Sequence, residues 1–361
     1  MASIEEKIRE IREELDRTKY NKATEHHIGI LKAKLAHLQA EAEKHRKGGG
    51  VGFSLPKSGD ATVVLLGFPN VGKSSLLNRL TGARSSTGDF SFTTLRVIPG
   101  MLFHRGARIQ LLDLPGIIEN ASGGHGRGRE VLSVVRAADL VAFVVDPVNA
   151  SVDRVLAELD ASGIVVNRRR NRVTIRRTTS GGIRIYSARG ASYDRQAILE
   201  VMKEFRISNA EVYLRNGNTL EDLIFSLRKN ITHMRGIVVV NKSDLISSRE
   251  KILASLPPDI PAIFVSAVTG EGLSELKEAI FRELHLIRVF LRDRAGNVDF
   301  DRPMILREGA TVRQVCRKIS REMIQSFRYA TVSSPASRVE NKRVGIDYHV
   351  ADGDIINIVT R

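Results

Sequence analysis

Three things are scarce in this sequence. It has one cysteine, Cys316, so no disulfide can form within the chain, and a reducing compartment suits it. No apolar run reaches the ~18 residues of a membrane span. The opening MASIEEKIREIREELD is charged from residue 5 onward and lacks the apolar core of a signal peptide. A cytoplasmic protein without membrane attachment is the expectation. Acidic residues are also outnumbered: 56 Lys and Arg against 41 Asp and Glu give a net charge of +15. That surplus favours anionic partners, although charge also serves plain solubility.

With 361 residues, the chain is long enough for two or three domains. Ile4, Ile8, Ile11 and Leu15, then Ile28, Leu31, Leu35, Leu38 and Ala42, recur every three or four positions. This spacing predicts a helical hairpin over 1–50, closed by a Gly-rich connector. From Ala61 the pattern changes to apolar strands alternating with helical stretches: ATVVLLG, the segment from Arg108 to Leu114, LVAFVVD, IVVVN and AIFVS. Such alternation predicts an α/β domain with a mostly parallel sheet over 51–164 and 236–285. Residues 165–235 interrupt it. There the stretches Arg172–Arg176 and Ile183–Tyr186 flank Gly181–Gly182 and read as a hairpin. Twelve Lys and Arg stand against four Asp and Glu between Val165 and Arg215, so the basic surplus is concentrated in this insertion. Residues 286–361 read as a small α+β unit with a helix over Thr311–Ile324 and a closing strand, IINIV.

Gly67-Phe-Pro-Asn-Val-Gly-Lys-Ser74 has the form GxxxxGK[ST] between a strand and a helix, the setting in which backbone amides cradle phosphates. Lys73 would supply a cation to the β- and γ-phosphates, and the Ser74 hydroxyl a ligand to Mg²⁺. Asp113-Leu-Pro-Gly116 ends a strand; its aspartate can hold that Mg²⁺, usually through water, and the Gly116 amide can contact the γ-phosphate. Phe92-Thr93-Thr94 lies between these motifs, where a threonine can ligate Mg²⁺ only while the γ-phosphate is present. Asn241-Lys242-Ser243-Asp244 follows the IVVVN strand; an aspartate there can accept from guanine N1 and N2, a donor pair that adenine lacks. Ser266-Ala267 follows the last strand and can present an amide to guanine O6. Any one of NKxD, DxxG or SA alone is weak, but all of them in order, each at a strand end, make a strong signal. The candidate nucleotide site is Gly67, Pro69, Asn70, Val71, Gly72, Lys73, Ser74, Ser75, Asp113, Gly116, Asn241, Lys242, Asp244, Ser266 and Ala267. Lys73, Thr94, Gly116 and Asn70 are the catalytic candidates, for GTP, GDP and Mg²⁺.

The segments GFPNVGKSS, DFSFTTL and DLPGIIENASGGHGRGREV resemble the Obg branch of translation-factor-class GTPases. The order of the whole chain resembles the developmentally regulated GTP-binding (DRG) subfamily. The resemblance implies slow GTP hydrolysis, an S5D2-like α/β module for 165–235 and a C-terminal TGS domain of β-grasp fold. Both modules would be associated with RNA or ribosome contact. It implies Thr94 as the Mg²⁺ ligand of its loop. It also links Asn70 to a bound K⁺, while an asparagine that merely shapes the loop is the competing explanation. Where Ras-like enzymes place a water-orienting glutamine directly after DxxG, this chain has Ile117, so charge neutralisation must come from elsewhere. Two readings follow. In one, a GTPase switch acts on RNA or the ribosome through Arg168, Arg169, Arg170, Arg172, Arg176 and Arg177, with Arg313, Arg317, Lys318 and Arg321 extending that surface. In the other, a GTP-dependent scaffold reports to a protein partner, and the resemblance implies a dedicated one in some organisms. A monomer is expected.

Overall fold

The structure, a computed structural model, describes residues 4–19, 24–45, 58–82, 97–114, 126–148, 150–167, 173–187, 194–228, 231–246, 248–293, 295–334 and 339–361. The chain divides into two units. The larger comprises Ser54–Ile117, Ser133–Val155 and Met234–Arg361; the other comprises Met1–Phe53, Ile118–Leu132 and Leu156–His233.

The main sheet runs in the order Ala262–Phe264, Thr232–Val240, Leu140–Val145, Ala61–Leu66, Ala107–Asp113, Ile98–His104. Neighbours are parallel except the last pair, an antiparallel hairpin at the edge. The two central strands, Ala61–Leu66 and Leu140–Val145, are buried along their whole length, as a sheet covered on both faces requires. The registers Leu65↔Asp113, Leu66↔Phe143, Val145↔Val240 and Val240↔Phe264 bring the carboxyl ends of five strands into line. The motif segments leave the sheet at those ends, where ligands bind in open α/β folds. The helix Lys73–Thr81 buries Leu76, Leu77 and Leu80 beneath the first loop and stops at Gly82, whose φ of 71° makes a left-handed cap.

Residues 286–361 form a five-stranded sheet, Met304–Arg307, Leu286–Leu291, Ile355–Thr360, Phe327–Ser334, Val339–Val344. Val312, Val315 and Cys316 of one helix pack into its core, and burial raises the Cys316 thiol above its ordinary pKa. The single helix expected over Thr311–Ile324 is two, Val312–Ile319 and Glu322–Gln325. The break is at Ser320, which is extended (φ −158°, ψ 155°) and accepts from the Met323 amide at 3.1 Å, so its hydroxyl starts a new helix instead of continuing the old one. Two of the four cations grouped on this segment are engaged within the unit. Arg313 pairs with Asp347 (2.9 Å), and Lys318 with Asp60 (3.1 Å) and the Ile305 carbonyl (2.6 Å).

This small sheet is fused to the amino ends of the main sheet's strands. Ile305 belongs to the main hydrophobic core, alongside Ala61, Ala107 and Leu140. Arg307 reaches Asp139 at 2.6 Å, and the other Asp139 oxygen accepts from the Thr62 amide at 2.9 Å. A Cβ on Gly106 would come within 2.4 Å of Pro303.

In the other unit, helices Ile4–Arg17 and Glu25–His45 form the expected helical pair. Ala33 and Ala36 of the second pack with Ile198, Val201, Met202, Val212 and Leu223 of the inserted segment. The strands Thr174–Arg177 and Ile183–Ser187 do not pair as the hairpin read from the sequence. Ala210–Leu214 lies between them, antiparallel to the first and parallel to the second. The Thr178 amide donates to Asn209 O, and the Asn209 side chain accepts from the Gly182 amide (2.9 Å). The connection therefore spans one strand's width instead of making a tight turn.

Ile305→Ala should lower the unfolding free energy of the larger unit by about 2–5 kcal/mol, the cost of a core cavity. A urea titration followed by circular dichroism checks this; a loss below ~1 kcal/mol would mean that the residue is peripheral to the core.

Candidate functional site

The loop Gly67–Gly72 is shaped by two left-handed residues, Asn70 (φ 65°) and Gly72 (φ 92°). A side chain at Gly72 would strike Asn241 Nδ2 at 2.3 Å, and one at Gly67 would strike the Val144 carbonyl at 2.1 Å. Both glycines are fixed by close approach as well as by the need to expose amides. Val71 is buried, whereas Pro69, Asn70, Ser74 and Ser75 are exposed. The positive φ of Asn70 is one that asparagine tolerates better than most residues.

Lys73 is buried and donates to the carbonyls of Gly67 and Phe68, both at 3.0 Å. Burial lowers its pKa, against the attraction of Asp113. Ser74 donates to Asp113 Oδ2 at 2.5 Å. Asp113 is buried too, and its Oδ1 has no hydrogen-bond partner among the described residues. Burial raises its pKa, opposed by the Ser74 hydrogen bond and by Lys73. A buried carboxylate with an orphaned oxygen beside a serine hydroxyl suits a hard divalent cation such as Mg²⁺, which takes oxygen ligands.

Asn241 is buried and bridges two loops: its Nδ2 donates to Val71 O (2.8 Å) and its Oδ1 accepts from the Ala267 amide (3.1 Å). Lys242, left-handed at φ 60°, reaches back to Asn70 O (3.0 Å) and Asp146 (2.9 Å). Asp244 sits exposed on the short 3₁₀ helix Ser243–Leu245, with no hydrogen bond or ion pair among the described residues. Ser266 is fully buried, and its hydroxyl accepts from the Thr269 amide at 3.1 Å. The structure therefore gathers the first loop, Asp113, the Asn241–Asp244 segment and Ser266–Ala267 at one sheet edge. Thr94, Gly116 and Ile117 lie outside the described residues, as do Arg168, Arg169, Arg170 and Arg172. Arg176 and Arg177 are exposed on a strand of the other unit. Sequence reasoning missed Arg79, which donates from the helix after the first loop to Ala267 O (2.9 Å) and Val268 O (2.7 Å). Only its place on the exposed side of that helix, two turns past Lys73, hinted at a role.

A family model described as 50S ribosome-binding GTPase matches residues 62–174, its C-terminal extension 180–286, and a TGS domain model 287–360. The chain is 44% identical to a GTP-binding protein of Methanocaldococcus jannaschii, over 99% of this chain and 93% of that one. It is 40% identical to developmentally-regulated G-protein 3 of Arabidopsis thaliana over the full length of both. With developmentally-regulated GTP-binding protein 2 of Mus musculus it shares 38%, over 99% and 100%. The chain belongs to the developmentally regulated GTP-binding protein family. This DRG-family member is thus a GTP-binding protein of the translation-factor-like GTPase class, with a GTP-hydrolysing domain and a C-terminal TGS domain.

The raised pKa of Asp113 has a signed consequence for the DRG fold. The native state holds that proton more tightly than the unfolded chain does, so stability falls as pH rises from the ordinary 3.8 through the native value. The lowered pKa of Lys73 acts with the opposite sign, stability rising with pH from the native value up to the ordinary 10.5. Asp113→Asn should flatten the acid-side slope and raise the melting temperature by a few degrees in Mg²⁺-free neutral buffer, while weakening Mg²⁺-dependent nucleotide binding. Differential scanning calorimetry across pH 4–8 checks this; an unchanged slope would refute the assignment.

Proposed function

We propose that this protein hydrolyses GTP slowly as a switch acting on RNA or the ribosome, in the cytoplasm and as a monomer. The observation that carries the chemistry is the single sheet edge where the Gly67–Gly72 amides, Lys73, the Ser74–Asp113 pair and exposed Asp244 come together. Lys73 would exchange the carbonyl oxygens of Gly67 and Phe68 for phosphate oxygens. Ser74 and Asp113, with Thr94, would hold Mg²⁺, which when bound offsets charge developing on the β- and γ-phosphates. The Gly116 amide would contact the γ-phosphate. Asp244 would read guanine N1 and N2, a donor pair that adenine lacks.

Ile117 cannot orient water, so we assign the missing positive charge to K⁺ held partly by Asn70. Turnover should be several-fold faster in K⁺ than in Na⁺ for the natural protein, and Asn70→Asp should change that ratio. Phosphate-release assays in all four combinations decide it; equal rates reject the cation.

The anionic target is supported by the basic surplus between Val165 and Arg215, and by the ribosome-binding description of the family model matching 62–174. Co-sedimentation with ribosomes is expected with a non-hydrolysable GTP analogue, weaker with GDP, and steeply reduced by salt. Binding indifferent to nucleotide would favour the scaffold with a protein partner instead.

A further inference from the structure

Among the described residues, the three-stranded sheet of the inserted segment has one face covered by helices and one that is not. Ile175, Val212 and Ile185 share a register row and pack inward with Ile198, Val201 and Leu223 of two helices. Alternation sends the neighbouring residues outward. Across the strands they form two rows: Arg176, Glu211, Arg184, and then Thr174, Tyr213, Tyr186. None of these six is buried, and Tyr186 is 43% exposed.

The tyrosines lie nearly flat on each other, with centroids 4.9 Å apart and planes 14° apart. Tyr213 donates to the Glu211 carboxylate at 2.8 Å, which raises the phenol's pKa. Neither Arg176 nor Arg184 has an ion pair among the described residues, so two unneutralised guanidiniums flank one carboxylate. Arg177 is exposed on the next position of the same strand. A cross-strand aromatic pair has a bland use, since it strengthens a sheet. That use does not require free arginines in the adjacent row, nor a ring left facing water.

The geometry points to this face as a stacking platform for unpaired bases of single-stranded RNA, with Tyr186 offering its ring to a base and Arg176 and Arg184 meeting the phosphates on either side. The inference rests on the RNA-directed reading above and names where on the chain, and to which form of RNA, contact is made. Unpaired bases expose faces that aromatic rings can cover, whereas an A-form duplex stacks those faces internally and is met at its backbone. Excess positive charge next to the rings suits a polyanion and disfavours an apolar or cationic partner.

Fluorescence anisotropy with the full chain and a labelled oligouridylate of about ten nucleotides tests the platform. Tyr186→Ala should weaken binding roughly 5- to 150-fold without altering the salt dependence, and Tyr186→Phe should stay within about twofold of the natural protein. Arg184→Gln should instead reduce the slope of log Kd against log salt by about 0.7. A duplex of the same length should be insensitive to Tyr186→Ala. If Tyr186→Ala binds the oligonucleotide as well as the natural protein, or weakens duplex binding equally, the platform is wrong. In that case, ribosome co-sedimentation of the natural protein would show whether the broader RNA reading survives. A natural protein that neither sediments with ribosomes nor binds the oligonucleotide would remove both.

Discussion

The nucleotide edge depends on one buried amide. Asn241 ties the carbonyl of Val71 to the N–H of Ala267, so the phosphate loop and the last loop of the sheet are held by the two ends of a single side chain. Two flanking cations repeat the arrangement from opposite sides, Lys242 to Asn70 O and Arg79 to Ala267 O and Val268 O. Three loops that leave separate strands thereby become one scaffold. Their backbone groups are oriented before any ligand arrives, which lowers the ordering cost of binding. Replacing Asn241 by an apolar residue would leave a buried carbonyl and a buried amide unmatched, each costing about 1–3 kcal/mol.

Within that scaffold the ionisable groups are held under tension. Lys73 and Asp113 are both buried, and desolvation opposes the charged form of each. Their mutual attraction and the Ser74 hydrogen bond offset part of that cost. Sites that must receive a highly charged ligand commonly carry such a mismatch, because the ligand and its cation provide the missing partners.

Much of this was legible in the sequence, because strand-end motifs combine a local pattern with a topological rule. Buried parallel strands announce themselves as apolar runs, and the loops after them can only sit at one edge. The α/β class was readable for the same reason, whereas the C-terminal TGS domain and membership of the DRG family were readable only through the resemblance of the motif segments and of the whole chain's order to that family. Long-range choices were not. Nothing local distinguishes Thr174–Arg177 and Ile183–Ser187 as a hairpin from the same two strands parted by Ala210–Leu214. The deciding contacts come from Asn209, more than twenty residues downstream. Ser320 likewise fits a continuous helix by periodicity, and only its capping hydrogen bond shows the break. Arg79 looked like an ordinary exposed helix residue because its acceptors are carbonyls nearly two hundred positions away. Arg313 and Lys318 looked available for the same reason, their partners Asp347 and Asp60 being distant in sequence.

The placement of Ile305 among the residues beneath the GTPase sheet changes what the C-terminal region is. It acts as a wall of the catalytic domain's own interior, not as a tethered appendage. A fragment ended near residue 285 would lose Ile305, the Arg307 contact to Asp139 and the Lys318 contact to Asp60 together. Such a fragment would bare apolar surface at the foot of the strands that carry the nucleotide loops. Nucleotide affinity measured on it would therefore mix ligand recognition with the instability of an opened core.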